Sequence, residues 1–360
     1  MHLLDKYLFQ QFFKNFFLIL CALISIYFLI DFFERIDNFM DADKPMGIVI
    51  KYFLLKIPAM ADMIFPVCLL LAGVITLGIL THNQEYMALK AGGVSTFRIC
   101  MPLFTVSLLL TVGSLFMAEW VLPKTLVETN RIWYSEVINR IPKGIIRNGR
   151  IYHRGEYGLY SFIRKDPNSN IFEQFSYAQW DKDYNLSRYV TAQKAQWREN
   201  QWTLWDGQIK SPSFDDPKKP AVTLFKKQII VLPDSPNDFF VPSYKVKEQS
   251  ISSLLHQARL SKTDNQQAWL DFNSRLSFVF IGLPLVLLGL PVLLVLSQKW
   301  GRDLTLAIPI CCGLAFAAWG WWSTSQSMAR AYNINPLVSA WSIHLFVSLL
   351  GIWLLRRQDA

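Results

Sequence analysis

The sequence predicts an α-helical integral membrane protein with six transmembrane helices, three on either side of an inserted extracytoplasmic β domain of sandwich or jelly-roll type. Composition is the first reason. The 360-residue chain is 52% hydrophobic and 14% aromatic, too apolar for an ordinary soluble domain and too long for one membrane hairpin. Charge-free runs are the second: 16 residues at 15–30, 20 at 99–118, 23 at 276–298, 26 at 304–329 and 25 at 331–355. A sixth run, 57–80, is interrupted only by Asp62. A crossing helix needs about 20 apolar residues, so the runs are of membrane length. The third reason is an abrupt change of pattern over 123–271, where short runs alternate polar and apolar residues.

The N-terminal LLDKYLFQQFFKNF places Leu4, Tyr7, Leu8 and Phe12 on one face with Lys6 and Lys14 off it, the pattern of an interfacial helix. The first crossing run takes its flanks from Phe12, Phe13, Phe32 and Phe33. It is followed by DFFERIDNF instead of a small-residue cleavage site, so it reads as a retained helix and not a secretory signal. Between the second and third crossings lies THNQEYMALKAGG (81–93). Thr81 with Gln84 fits a capping box, and Gly92 fits the left-handed position that ends a helix. Glu85, Ala88 and Leu89 share one face of the two turns between; Tyr86, Leu89 and Lys90 share the next. A helix this short is marginal alone and needs a support, either the membrane surface or a partner protein.

Strand signals follow in GLYSFIR (158–164), FEQFSYAQW (172–180), AQWRENQWTLWDGQIK (195–210) and AVTLFKKQIIVL (221–232), with Asn, Gly, Asp and Pro between them. The resulting divisions are 1–122 (interfacial helix, helices one to three, and a connecting helix at 82–92), 123–271 (the β domain with its flanks) and 272–360 (helices four to six). The β segment carries 22 Lys and Arg against 16 Asp and Glu, +6 of the chain's +9, which suits either an anionic ligand or a plain basic surface. Placing the N-terminus in the cytoplasm puts Lys6, Lys14, Lys90, Arg98, Lys299, Arg302, Arg356 and Arg357 inside. Arg35, Lys44, Lys51, Lys56 and Arg330 are then in the outer short loops. That arrangement leaves the β domain outside and both termini inside.

Catalytic chemistry is not visible. The chain has no GxxxxGK[ST] loop, HExxH or GxSxG, and His2, His82, His153, His256 and His344 are scattered, so no catalytic or metal-binding residues are nominated and nothing suggests nucleic acid. Cys21, Cys68, Cys100, Cys311 and Cys312 all fall in helices, the adjacent pair reading as small packing residues. Asp31, Asp62 and Glu119 lie near helix ends where each is expected to reach water, a reading favoured over a proton or substrate path.

The string FPVCLLLAGVITLGILTHNQEYMALKAGGVSTFR (65–98), the opening LLDKYLFQQFF and AEWVLP (118–123) together resemble the lipopolysaccharide-export permease family LptF/LptG, and the layout matches over essentially the full chain. DFFERIDNF (31–39) favours the LptG branch. The resemblance implies residence in the inner membrane of a Gram-negative bacterium and a periplasmic β-jellyroll. It implies a paralogous six-helix permease, an LptB-like ATPase dimer that uses ATP and Mg, an LptC-like single-span bridge protein, and lipopolysaccharide as cargo, with no cofactor on this chain itself. Facing first, second and fifth helices would enclose a cavity lined by Phe28, Phe32, Phe65 and Trp319. Glu85 matches the coupling-helix glutamate that engages the ATPase, and Gly92 the glycine that ends that helix; Tyr86 and Leu89 complete the coupling surface. For lipid phosphates the family's positions are occupied by Glu34 and Ala59, so Arg35, Lys44, Lys51 and Lys56 form a displaced basic set. Two other readings fit parts of the chain: the permease half of another ATP-driven lipid or lipoprotein transporter, and a non-transporting membrane scaffold or sensor.

Overall fold

The computed structural model describes residues 3–138, 144–147, 150–155, 157–164, 171–181, 186–198, 201–211, 221–232, 234, 248–260, 265–300, 304–332 and 334–358. His2, Arg302 and the 199–200 part of one strand signal lie outside them. The chain separates into a helical unit, Met1–Val137 with Val246–Ala360, and a β unit, Ile138–Lys245. The flanking connections 123–137 and 248–260 with 265–271 therefore go with the helical unit, where Leu122–Arg131, Ile251–Leu260 and Asn265–Phe280 are helical and Asn130 Nδ2 donates to Glu248 Oε1 at 2.9 Å.

In the helical unit, α1 (Leu3–Asp41) is one uninterrupted helix of 39 residues, about 58 Å long. The expected interfacial helix is its first turns, because no Gly or Pro occurs between residues 3 and 41 to break it. It is followed by α2 (Met46–His82), the short α3 (Glu85–Ala91) and α4 (Thr96–Phe116). A π-helical turn, Met117–Val121, links α4 to α5 (Leu122–Arg131), and a second π segment, Ile132–Val137, completes the third span. After the β unit come α6 (Ile251–Leu260), α7 (Asn265–Phe280), α8 (Gly282–Trp300), α9 (Leu304–Tyr332) and α10 (Pro336–Arg357). Among the described residues six helical spans are long and apolar enough to cross a membrane, with α7 and α8 together making the fourth.

The central helix is α2. Its Cys68, Leu69, Leu70, Val74, Leu77 and Leu80 are buried against Phe12 and Phe16 of α1, Ile99 and Leu103 of α4, Val286 and Leu290 of α8, and Cys311 of α9. Lipid cannot drive helices together by hydrophobicity, so close packing and buried hydrogen bonds carry this contact. Asn15 Nδ2 donates to Thr76 Oγ1 at 2.9 Å, and Thr76 donates in turn to Ala72 O at 2.6 Å, closing the α1–α2 seam. A second, aromatic core caps the far ends of α1 and α2, where Phe39, Tyr52, Phe53, Ile132 and Val137 are buried with Trp133. By contrast α1 and α9 leave most of their apolar surface uncovered.

Among the described residues the β unit is a seven-stranded antiparallel sheet: β1 Gly144–Arg147, β2 Arg150–Arg154, β3 Gly158–Ile163, β4 Ile171–Trp180, β5 Leu186–Arg198, β6 Gln201–Ser211 and β7 Ala221–Ile230. Every strand pairs with its chain neighbour, in the order β1 to β7. The strand signal at 195–210 comprises the end of β5 and most of β6, paired with each other through Trp197 and Trp202. One face fills the core: Tyr160, Phe162, Phe172, Phe175, Tyr177, Val190, Ala195, Trp202 and Leu204 are buried together. Phe172 on β4 and Trp202 on β6 meet across β5 with ring centroids 5.1 Å apart, so the sheet rolls around its own side chains. Burial and the nearby Asp234 carboxylate push the Tyr160 phenol above the ordinary tyrosine range.

A crease crosses the roll. Gln174 of β4 and Asp206 of β6 adopt left-handed φ of 48° and 50°; the pairing with β5 keeps its register on each side of them, whereas the β3–β4 register shifts by one residue across Gln174. Inward positions consequently shift phase by one residue, from Phe172 to Phe175 on β4 and from Ala195 to Ala192 on β5. Gly207 follows Asp206 because a Cβ there would stand 2.0 Å from Thr191 O.

Candidate functional site

The loop before α3 is built differently from the capping box expected of it. α2 continues through Thr81, whose hydroxyl donates to Leu77 O at 2.9 Å, and Gln84 precedes α3 at φ 62° with no side-chain cap. The helix ends in a Schellman arrangement, Val94 N to Leu89 O at 3.0 Å and Gly93 N to Lys90 O at 2.9 Å. The left-handed residue is Gly93 at φ 81°, one position beyond the expected Gly92, which has φ −76°.

Of the four residues nominated here, Glu85 is half-buried at the first turn, where Asn83 Nδ2 donates to its Oε1 at 3.3 Å. Tyr86 is 2% exposed and its hydroxyl meets Thr96 Oγ1 at 3.1 Å, so it anchors α3 from behind and is not surface available for docking. Leu89 packs partly on the helical core, and Gly92 is exposed. Sequence reading missed the supports. Arg98 holds Asp5 of α1 through two bonds of 2.8 and 3.0 Å, and Lys90 reaches Thr96 Oγ1 at 3.2 Å and Gln358 O at 3.4 Å. α3 is thus tied to α4 and the end of α10, and α4 in turn to α1, a platform with Met87 and Ala88 outward.

The basic residues form no ring of open cations. Asp31 is 4% exposed, not water-reaching as expected, and it accepts from Lys56 Nζ at 2.6 Å on both oxygens and from Arg35 Nε at 3.0 Å. The third span brings in the aromatic partner: Arg35 lies 4.2 Å over the Trp133 ring, and Lys56 5.4 Å from the Tyr52 ring centroid. Lys51 pairs with Glu128 at 2.8 Å, and Glu128 also binds Arg131. Lys44 is half-buried at the α1–α2 turn, its backbone N–H bonded to Phe39 O. The i, i+4 spacing of Asp31 and Arg35 was a signal available in the sequence; the closure by Lys56 was not.

Asp62 is mostly covered: it pairs with Arg275 of α7 at 3.2 Å, with side-chain exposures of 12% and 15%. Breaking such a pair would strand a charge in the membrane. Glu119 is half-buried, and it accepts from the Ser252 N–H at 3.1 Å and from the Ser252 hydroxyl in solvent-accessible bonds, which fits the expectation that it reaches water.

The four nominated cavity residues divide. Phe28 and Phe32 stack on each other and meet Phe53 at a tilt, with centroids 5.4 and 5.2 Å from the latter. Trp319 is 44% exposed beside Phe316. Phe65 points into the helical core against Phe16 and reaches no open surface of this chain. The clefts of about 450 and 490 Å³ lie on the β unit, around Asp206 and around Trp180, and touch none of the nominated residues.

The family described as "Lipopolysaccharide export system permease LptF/LptG" matches residues 6–357. "Lipopolysaccharide export system permease protein LptG" of Haemophilus influenzae is 24% identical over 203 residues, so the chain spans about half that relative's length (56% of either protein). The protein of the same name from Escherichia coli K12 is 20% identical over 373 aligned residues, 99% of this chain and 98% of that one.

Proposed function

Because the chain belongs to the lipopolysaccharide export permease family LptF/LptG, we propose that it is the LptG-type half of an ATP-driven exporter, lifting lipopolysaccharide from the outer leaflet of the inner membrane into a periplasmic β-jellyroll bridge. The observation that carries the ATP-driven part is α3. A two-turn helix between the second and third spans, anchored by Tyr86, Lys90 and its Schellman end, presents Glu85 on a chain with no nucleotide-binding motif of its own. An LptB-like ATPase dimer, using ATP and Mg, docks there, with Glu85 as the charged contact and Leu89 and Gly92 beside it. Tyr86 holds the platform. This orientation puts α3 and both termini in the cytoplasm and the β unit in the periplasm.

The uncovered apolar faces of α1 and α9 support a second permease across from them. A paralogous LptF-type chain closes the cavity, with Phe28, Phe32 and Trp319 toward the acyl chains and Phe65 packed behind. Arg35, Lys44, Lys51 and Lys56 receive lipid phosphates at the outer boundary, Arg35 and Lys56 after exchange with Asp31. The rolled sheet passes lipid to an LptC-like bridge protein through its edges, since β1 and β7 each have one strand neighbour among the described residues.

Affinity purification of the tagged chain from detergent-solubilised inner membrane, followed by mass spectrometry, tests the reading. Recovery of an ATPase subunit, a second six-helix permease and lipopolysaccharide is the expected result. Recovery of the chain alone in mild detergent with lipid present would overturn it.

A further inference from the structure

We propose that Asp31 is an internal counter-ion, a carboxylate that occupies the place of a lipid phosphate between Arg35 and Lys56 and is displaced by that phosphate, so that it sets how readily the site lets an anionic lipid go. The inference rests on the reading of Arg35 and Lys56 as phosphate donors and assigns a role to the acid between them.

One carboxylate faces two cations. Lys56 Nζ donates to both Asp31 oxygens at 2.6 Å and Arg35 Nε to Oδ1 at 3.0 Å, while the Glu34 carboxylate acts on both cations without a hydrogen bond in the cluster. Exposure is graded in one direction: the Arg35 side chain is 27% accessible, Lys56 15% and Asp31 6%. An arriving anion therefore meets the cations before it meets the acid. Both cations are held on aromatic faces, Arg35 over Trp133 and Lys56 near Tyr52, so they stay in place when their carboxylate partner is exchanged. Depth agrees with a lipid source. Asp31 closes the charge-free run 15–30 and Lys56 precedes the run 57–80, which puts both at the hydrocarbon boundary where headgroup phosphates lie.

The exchange has a physical direction. A phosphate monoester offers three strong acceptor oxygens to the carboxylate's two and more negative charge, so it competes for the same donors. The displaced carboxylate remains close by on the rigid α1 and repels the bound anion. A transport site needs both effects, since it must accept its cargo and then release it.

The test uses the full chain with its co-purifying partners in lipid nanodiscs, titrated with bisphosphorylated lipid A, with dephosphorylated lipid A and with inorganic phosphate. Asp31→Asn keeps the shape and an acceptor for Lys56 while removing the charge. It is expected to bind bisphosphorylated lipid A roughly tenfold more tightly than the unaltered chain and to release it more slowly. Affinity for dephosphorylated lipid A is expected to stay unchanged, and the gain is expected to vanish in Asp31→Asn with Lys56→Met. Asp31→Glu, which keeps the charge, should retain the original affinity. Equal or weaker binding of bisphosphorylated lipid by Asp31→Asn, an equal gain for the dephosphorylated lipid, or a gain in Asp31→Glu would each overturn the proposal. A gain confined to inorganic phosphate would overturn the lipid assignment. Co-purification does not involve Asp31, so its failure would fall on the functional reading, whereas failure of these titrations beside successful co-purification would fall on Asp31 alone.

Discussion

Glu85 and Gly93 bracket α3, and each is open to a single substitution. Glu85→Ala is expected to reduce ATPase stimulation in the reconstituted complex by removing a charged contact, with Glu85→Gln losing less because its amide still offers an acceptor; normal turnover and assembly in both variants would remove Glu85 from the interface. Gly93 holds φ 81°, so Gly93→Ala should cost about 1 kcal/mol, read as a lower melting temperature of the detergent-solubilised chain. Gly92→Ala should be close to neutral, since its new Cβ meets Leu89 O at an ordinary 3.4 Å. The sequence named the helix and its acid but shifted the caps by a residue or more. Thr81 and Gln84 have the right spacing for a capping box, yet that motif requires a chain that has already left the previous helix, and α2 has not. Between two adjacent glycines only the carbonyl partners, Leu89 and Lys90, decide which one turns left-handed.

At the level of elements, the six apolar runs and the β insertion were legible because charge-free length and period-2 alternation are local properties. The hairpin inside 195–210 was not, because its alternation continues from β5 into β6 almost without a break and both strands carry Trp inward. Trp202 shows what holds this element: it is fully buried, touches Phe172, Phe175 and Trp197, and donates from Nε1 to Asp234 O at 3.1 Å. Trp202→Ala is expected to cost about 3–5 kcal/mol of β-unit stability. Hydrogen exchange of the full chain checks it: amides of β4 to β6 should lose protection while those of α2 and α8 keep theirs.

For the molecule as a whole, the two halves of the helical unit are fastened by a charge pair that the sequence placed at the water boundary. Asp62 sits near the start of its apolar run, and only the fold brings Arg275 beside it from 213 residues away. Asp62→Asn or Arg275→Ala alone should lower stability by about 3–5 kcal/mol, whereas Asp62→Leu with Arg275→Met should cost much less, because a buried pair of matched apolar side chains strands no charge. Thermal denaturation of the three variants in one detergent measures the difference; additive losses would show that the pair is not coupled. The strand order of the β unit has its own consequence, in time. With each strand bonded to the one just before it, no pairing has to wait for a distant part of the chain, so loop-closure entropy stays small at every step. The roll can grow hairpin by hairpin from β1 as successive segments emerge.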